Sequence, residues 1–473
     1  AFYFLSADHY ENNLVTPYIG RDRDGVSGGW TVAPNRNDSV FLRTDFNLGE
    51  SNFLMTRLSL NDRKTSDLLV GGRITPETGF QVDEQDVQFA ASLKTIISNN
   101  TIHEIRFLAG DSSFSQNAGS SRPGVERPGG LFGGNSLNRQ ERNETRFQLV
   151  DNLTRVVGDH TLKFGVDIMH STTDLRAWFN PNGNFLYETD QPFEPGDGFE
   201  LFVTDCLRAS GPRPCEGVPG VDDDGDGLID EPADKSTYPV AFIYIDGRPR
   251  AEIRDWRFSA FAQDIWQVTP GFLLDYGLRY ELSTFTLPAE LAVPSSIPNG
   301  GAGKDTDNIA PRFGFTWQPA GNDRWVVRGG AGVYFDKLVL AFPGVAAITS
   351  GTRIGILPIQ GLTFEIDENL VEELGVEVLF PELAFPDEFV MRFSTGTEME
   401  TPYSVQYSLG FDRRIGRGAA FTAKAVRQLG YHIPLMRDLN PVVNIIRPPD
   451  DPDGSGIPIH RDSRYGSIAA VVT

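Results

Sequence analysis

Residues Glu252–Phe285, EIRDWRFSAFAQDIWQVTPGFLLDYGLRYELSTF, decide the fold. Two runs of alternating residues flank a Thr269-Pro270-Gly271 turn, so the stretch reads as one hairpin. On the second run Leu274, Tyr276, Leu278, Tyr280 and Leu282 share one face, and Asp275, Gly277, Arg279 and Glu281 share the other. A soluble strand is usually about five or six residues long. Here the alternation persists for roughly ten residues on each arm, the length of a tilted strand that crosses a bilayer.

Five further hairpins carry the same signature. They pair Ser39–Asn47 with Asn52–Asn61, Gln85–Ile97 with Thr101–Ala109, Glu144–Val156 with Thr161–Thr173, Asn308–Gln318 with Arg324–Lys337, and Pro402–Arg413 with Ala419–Leu429. Long polar segments separate them, at Asp8–Asp38, Asp62–Glu84, Gly110–Asn143, Asp174–Ala251, Thr286–Asp307, Leu338–Thr401 and Gly430–His460. Long structureless connections are rare in compact soluble domains. Short turns at one end and long loops at the other are the habit of outer-membrane barrels, with the turns periplasmic and the loops extracellular. With an opening strand at Phe2–Ala7 and a closing one at Tyr465–Val472, residues 1–473 are expected to form a partial antiparallel transmembrane β-barrel of roughly 14 strands. Residues 174–251 and 338–401 are its longest extracellular loops. Residues Ser236–Gly247 alternate too and are expected to extend the wall above the membrane, and Thr363–Leu379 to form a short helix or part of a cap.

Aromatic residues collect at the strand ends: Trp266, Phe272, Trp317 and Trp325 beside the short turns, Trp256, Phe285, Phe335 and Tyr403 toward the long loops. Two such belts are expected where a barrel meets the two membrane interfaces. The chain has 473 residues, a net charge of −22 and 40% hydrophobic residues. No run of 18 apolar residues occurs, so a helical span is excluded and a strand span is not. The acidic balance argues against a nucleic-acid partner, which calls for a basic footprint. The first residues, AFYFLSAD, read as mid-strand and the last, RYGSIAAVVT, carry no terminal cap, so both ends are expected to continue into a longer secreted chain.

One local motif is sharp. In VDDDGDGLIDE, Val221–Glu231, the carboxylates of Asp222, Asp224 and Asp226 stand at alternate positions before Gly227, the carbonyl of Leu228 follows, and Asp230 stands at the ninth position. Calcium loops use this order, with glycine making the sharp turn. Ala233 replaces the usual bidentate glutamate and no helices flank the motif, so a helix-free structural calcium loop is expected, against the plainer reading of a solvated acidic loop. Cys206 and Cys215 enclose Gly-Pro-Arg-Pro in the same segment and are expected to form a local disulfide in an oxidising compartment, two free thiols being the alternative. No catalytic pattern stands out: the six histidines are scattered, His103-Glu104 lacks a second histidine, and no Gly-x-Ser-x-Gly elbow or phosphate loop is present. The chain is therefore not read as an enzyme.

Four segments together resemble the barrel of TonB-dependent outer-membrane receptors, most of all the Oar-like group. They are NETRFQLVDNLTRVVGDHTLKFGVDI (Asn143–Ile168), FSAFAQDIWQVTPGFLLDYGLRYE (Phe258–Glu281), APRFGFTWQPAGNDRWVVRGGAGVYFDK (Ala310–Lys337) and TPYSVQYSLGFDRRIG (Thr401–Gly416). The resemblance implies a barrel of 22 strands around an N-terminal plug, uptake of a large solute, and contact with the energy-coupling protein TonB. Neither a plug, a TonB box nor a regulatory domain is legible in these residues, so TonB contact would run through a region outside them. The implied partners are outer-membrane lipid, lipopolysaccharide and a solute of siderophore, glycan or peptide class, in a Gram-negative-type outer membrane. The competing readings are a plugless porin-like or adhesive barrel and a soluble, secreted, calcium-binding β-protein.

Overall fold

The computed structural model describes residues 1–22, 25–127, 130–133, 139–178, 182–187, 241–246, 250–286, 304–319, 324–337, 344, 353–358, 392–394, 400–416, 418–433, 435–438, 442–446, 457–460 and 468–472. Thirteen strands form one antiparallel sheet in sequence order. They are β1 (Phe2–Asp22), β2 (Gly25–Asn47), β3 (Asn52–Leu68), β4 (Phe80–Ser98), β5 (Thr101–Ala118), β6 (Arg139–Val157), β7 (His160–Trp178), β8 (Arg250–Thr269), β9 (Phe272–Thr286), β10 (Lys304–Trp317), β11 (Trp325–Phe335), β12 (Tyr403–Ile415) and β13 (Ala419–Tyr431). All six short turns fall where the hairpin signals place them, and β8 meets β9 across Pro270-Gly271.

Cross-strand register fixes the two faces. One row runs Phe107–Leu149–Ile168–Phe258–Leu282 across five neighbouring strands. The same face carries Leu278, Phe313 and Leu409, large apolar side chains that are 49–57% exposed. Burial of such groups is worth roughly 1.5–3 kcal/mol each, so a face of this extent exposed to water would be strongly disfavoured, and lipid is the solvent that suits it. On β8, Trp256 stacks on His170 with ring centroids 4.2 Å apart, and Trp266 stacks on His160 at 5.1 Å. The two tryptophans are ten residues apart on one face. At about 3.3 Å per residue and a tilt near 40°, they bracket roughly 25 Å, the height of a barrel's apolar band.

The first eight strands run 17 to 23 residues. About ten residues suffice to cross, so their far halves stand beyond the membrane. This corrects the expectation for Asp8–Asp38: it is no loop, because β1 and β2 stay paired from Phe2↔Asp45 to Asp22↔Gly25. Above the membrane both faces of a strand meet water, so the backbone ladder continues while the apolar alternation that announces it stops. The loop between β3 and β4 returns to cover part of the outer edge of β1, where Ile19 N–H donates to Gly72 O at 2.6 Å and Gly72 N–H to Pro17 O at 3.1 Å. Pairing an exposed edge removes a template for aggregation.

Among the described residues the wall has 13 strands, against the roughly 14 expected. The expected closing strand forms as Ile468–Val472 but pairs with Arg392–Ser394 and Leu435–Asp438 in a separate three-stranded sheet. Among the described residues the wall is open, with β1 and β13 at its two edges. The expected wall extension within Ser236–Gly247 is also corrected: Ala241–Asp246 belongs to a five-stranded sheet built from loops. Residues 363–379 lie outside the described residues. No described helix is long and apolar enough to cross a membrane, which leaves a strand crossing untouched.

Candidate binding face and loop cap

The face opposite the apolar one is polar and internally bonded. Gln263 Nε2 donates to Asp275 Oδ1 at 2.6 Å, Arg279 donates to Glu281 Oε1 and to Ser259 Oγ at 2.6 Å, and Gln148 Nε2 donates to Asp167 Oδ1 at 2.9 Å. Farther round the wall Arg43 pairs with Asp45 at 2.8 Å and Arg328 with Asp412 at 3.3 Å. Alternation places every one of these groups on the side away from Leu278 and Phe313. Bonded to one another they hold a fixed pattern of charge, which a curved wall would present to a watery lumen.

Just beyond the band this face becomes buried. Ala251, Ile253 and Asp255 of β8 are at most 2% exposed, and Leu175 and Ala177 of β7 pack with Ala251. Gly344, from the connection between β11 and β12, backs onto Ile253 and Leu175. Burial raises the carboxyl pKa of Asp255 against the pull of Arg257, whose Nε lies 2.5 Å from Oδ2, and of Ser283. At the rim of β10 the carboxyl pKa of Asp305 is lowered: burial, the largest single influence, would raise it, but hydrogen bonds from Thr401, whose N–H donates at 2.7 Å, and from Asp307 together outweigh that.

Above these residues lies the five-stranded loop sheet, in the order Arg353–Pro358, Ala241–Asp246, Asn184–Leu186, Gly124–Arg127, Gly130–Gly133. Its strands come from three different connections, β5–β6, β7–β8 and β11–β12. Val125, Phe185 and Phe242 form its core at 0–1% exposure, with the two phenylalanine rings 4.8 Å apart. The Arg127 guanidinium lies over the Tyr187 ring at 4.1 Å. We expect Phe242→Ala to remove about 3–5 kcal/mol from this local core. Limited proteolysis should then cut the loops faster while the wall keeps its heat-modifiable gel migration.

Two carboxylates sit on the apolar face. Asp151, visible in the sequence as a break in the pattern, lies 2.9 Å from His103 Nε2. Asp264 lies 2.7 Å from His160 Nδ1 and accepts from the Tyr276 hydroxyl at 2.8 Å. Pairing is what makes such groups tolerable in a membrane.

Of the residues singled out from sequence, Asp275, Arg279 and Glu281 stand on the inner face as expected, and Tyr276 and Leu278 on the outer. Asp222, Asp224, Asp226, Leu228 and Asp230, and Cys206 and Cys215, lie outside the described residues. Among the described residues no group of three or more His, Cys, Asp or Glu side chains is arranged to hold a metal ion. The burial of Asp255 had no sequence signal, because the groups that cover it are distant in the chain, and of the loop sheet only Ala241–Asp246 could be read as a strand, without its partners.

An open antiparallel wall with one lipid face and one bonded polar face defines an outer-membrane barrel protein. The chain belongs to the outer membrane beta barrel domain family, whose model matches residues 24–468. It is therefore a protein of the outer membrane. No curated protein matches the chain. Among solved structures it is similar to the outer membrane transporter YddB from Escherichia coli, with a TM-score of 0.57 at 11% identity, covering 99% of this chain and 47% of that one. The alcaligin outer membrane receptor FauA from Bordetella pertussis gives a TM-score of 0.45 at 10% identity, covering 98% of this chain and 56% of that one. The ferric yersiniabactin uptake receptor FyuA from Yersinia pestis gives 0.44 at 10%, covering 91% and 50%. The chain thus spans about half the length of these structures. At such identities the likeness is one of fold, and the YddB match carries it.

Proposed function

We propose that the chain is the wall of a TonB-dependent receptor that binds a large solute with its polar inner face and loop cap. The observation that carries this reading is the division of one sheet into an exposed apolar face and a bonded, charged one, with long strands raising the loops clear of the membrane. A loop sheet gathered from three connections makes a broad, shaped surface rather than an open mouth, which favours a receptor over a porin. The fold of a protein described as a transporter supports the same reading. Energy coupling to TonB would run through parts of the protein outside this chain. The test is conductance: the full protein, reconstituted in planar bilayers, should pass little ion current. Its gene should support uptake of its solute in a host carrying TonB and not in one lacking it. Steady porin-scale conductance and TonB-independent uptake would replace this reading with the plugless one.

We also propose that Asp222, Asp224, Asp226, the Leu228 carbonyl and Asp230 bind calcium and stiffen the segment that carries Cys206 and Cys215. Calorimetric titration of the chain with calcium should give a binding heat that Asp224→Ala abolishes. Equal heats for the two would remove the site.

A further inference from the structure

The wall has a seam at its extracellular rim. β10 and β11 pair from Trp317↔Val327 up to Arg312↔Gly332, where the ladder between them ends among the described residues. Yet β10 reaches back to Lys304, and β11 runs on to Phe335. Above that level β11 stays paired with β12 as far as Phe335↔Tyr403, and β10 with β9 as far as Thr284↔Lys304. Side chains bridge the gap. Thr401, two residues before β12, donates its N–H to Asp305 Oδ2 at 2.7 Å. Asn308 Nδ2 donates to Thr401 Oγ1 at 3.3 Å and to Asp305 O at 3.4 Å. Asn308 and Thr401 are 1% and 3% exposed, so the bridge is packed. Pro402 O accepts from the Asp336 N–H at 2.8 Å, which ties the same residues to the end of β11.

Titratable groups crowd this bridge. Asp307 donates its N–H to Asp305 Oδ1 at 3.5 Å. The two carboxyls also share a hydrogen bond, which requires one of them to carry a proton. Glu400 adds a third carboxyl and lies 3.0 Å from His432 Nδ1, just past the end of β13. That contact is an ion pair only while the imidazole is protonated. From β9, Glu281 stands opposite Asn308 and binds Arg279, and Ser283 stands opposite Asp305 and donates to Asp255 at 3.4 Å. The Tyr280 hydroxyl donates to Thr306 O at 3.0 Å. At the end of β11, Asp336 accepts the Lys337 N–H at 2.7 Å. Three carboxyls, Asp305, Asp307 and Glu400, thus meet one imidazole across the seam.

We propose that this bridge is a pH-operated clasp, closed in mild acid and loosened toward neutral pH, that lets the rim of β11 and β12 part from β10. In mild acid Asp307 keeps its proton and donates to the Asp305 carboxylate, which also accepts the Thr401 N–H, while a protonated His432 pairs with Glu400. As the pH rises, Asp307 ionises, the imidazole gives up its charge, and three like charges face one another. The titration of the two aspartates has the matching sign. The bond to Asp305, the charge of Asp305 and the charge of Glu400 raise the pKa of Asp307, so its contribution is present below the ordinary carboxylate value and lost as the pH rises through the raised one. Asp305 is lowered against its burial, so its contribution is lost only in stronger acid, as the pH falls through the lowered value. The clasp is therefore firmest at about pH 4, the ordinary carboxylate value between the two. The extracellular rim meets the surrounding medium, so the clasp responds to that pH directly, whichever solute the wall serves.

Hydrogen exchange of the full protein in detergent tests this, read by mass spectrometry at about pH 4.5 and about pH 7.5 and corrected for the intrinsic pH dependence of exchange. Protection in the peptide carrying Thr401 should fall roughly tenfold from the lower pH to the higher, the effect of one lost charge-assisted bond, while the paired amides of β8 and β9 keep theirs. Asp307→Asn/Glu400→Gln, which removes two of the three charges at exposed positions, should hold the protection at the higher pH within about twofold of its value in acid. Asp305→Ala, which removes the acceptor of the Thr401 N–H, should lose it at both. Equal protection of the unaltered protein at the two pH values would overturn the proposal. So would an undiminished fall in the Asp307→Asn/Glu400→Gln variant, or full protection in Asp305→Ala.

Discussion

Leu278→Arg is expected to block assembly in bilayers, while Gln263→Arg, at the neighbouring register position, is expected to fold. Leu278 stands opposite Ala262 on the apolar face and is 52% exposed. An arginine near the bilayer midplane of such a face costs about 2–4 kcal/mol, a large part of a typical stability margin. Gln263 points to the other side and already donates to Asp275. An arginine there replaces a neutral donor with a charged one facing the same carboxylate, in a region that holds water. The two substitutions add the same charge at nearly the same depth, so they differ only in the face. Folding into lipid vesicles, followed by heat-modifiable gel migration, separates them. Equal behaviour of the two variants would contradict the assignment of faces.

The second large effect is expected at Gly165. It sits on the inner face of β7 directly opposite Phe261 of β8. A Cβ built there overlaps the Phe261 ring and the side-chain amide of Asn152. The glycine leaves the space into which the aromatic ring lies, the arrangement by which sheets accommodate a glycine without leaving a gap. Gly165→Ala should therefore destabilise by about 1–3 kcal/mol through overpacking. The double variant Gly165→Ala/Phe261→Leu should recover part of the loss, which a double-mutant cycle in urea would measure as a favourable coupling. Gly329 and Phe315 repeat the arrangement on the opposite face, between β11 and β10.

How much of this was legible in the sequence depended on the solvent each residue meets. Where one face touches lipid and the other water, as in Phe272–Thr286, alternation is strong, and strand, turn and facing could all be read. Where both faces touch water the signal vanishes, which is why Leu14–Asp22 and Gly25–Pro34 read as loop although they pair with each other. The paired aspartates show a different limit. Asp151 reads as a defect in an apolar run until His103 is seen beside it, 48 positions earlier in the chain. The loop sheet was the least legible, since Gly124–Arg127 and Asn184–Leu186 are too short to announce themselves, Ala241–Asp246 showed its alternation but not its partners, and the three gain their core only together.

The two tryptophan–histidine stacks on β8 have a consequence for where the protein can reside. The distance between them is set by a hydrogen-bonded backbone, which does not shorten or stretch to suit its host. In a membrane several ångströms thicker, the acyl chains beside β7 and β8 must compress or tilt, at a fraction of a kcal/mol per ångström of misfit. Spread over a wall of thirteen strands, that penalty becomes a preference among membranes, and the thin outer membrane is the one that satisfies it. The stacks therefore act as an address as well as an anchor.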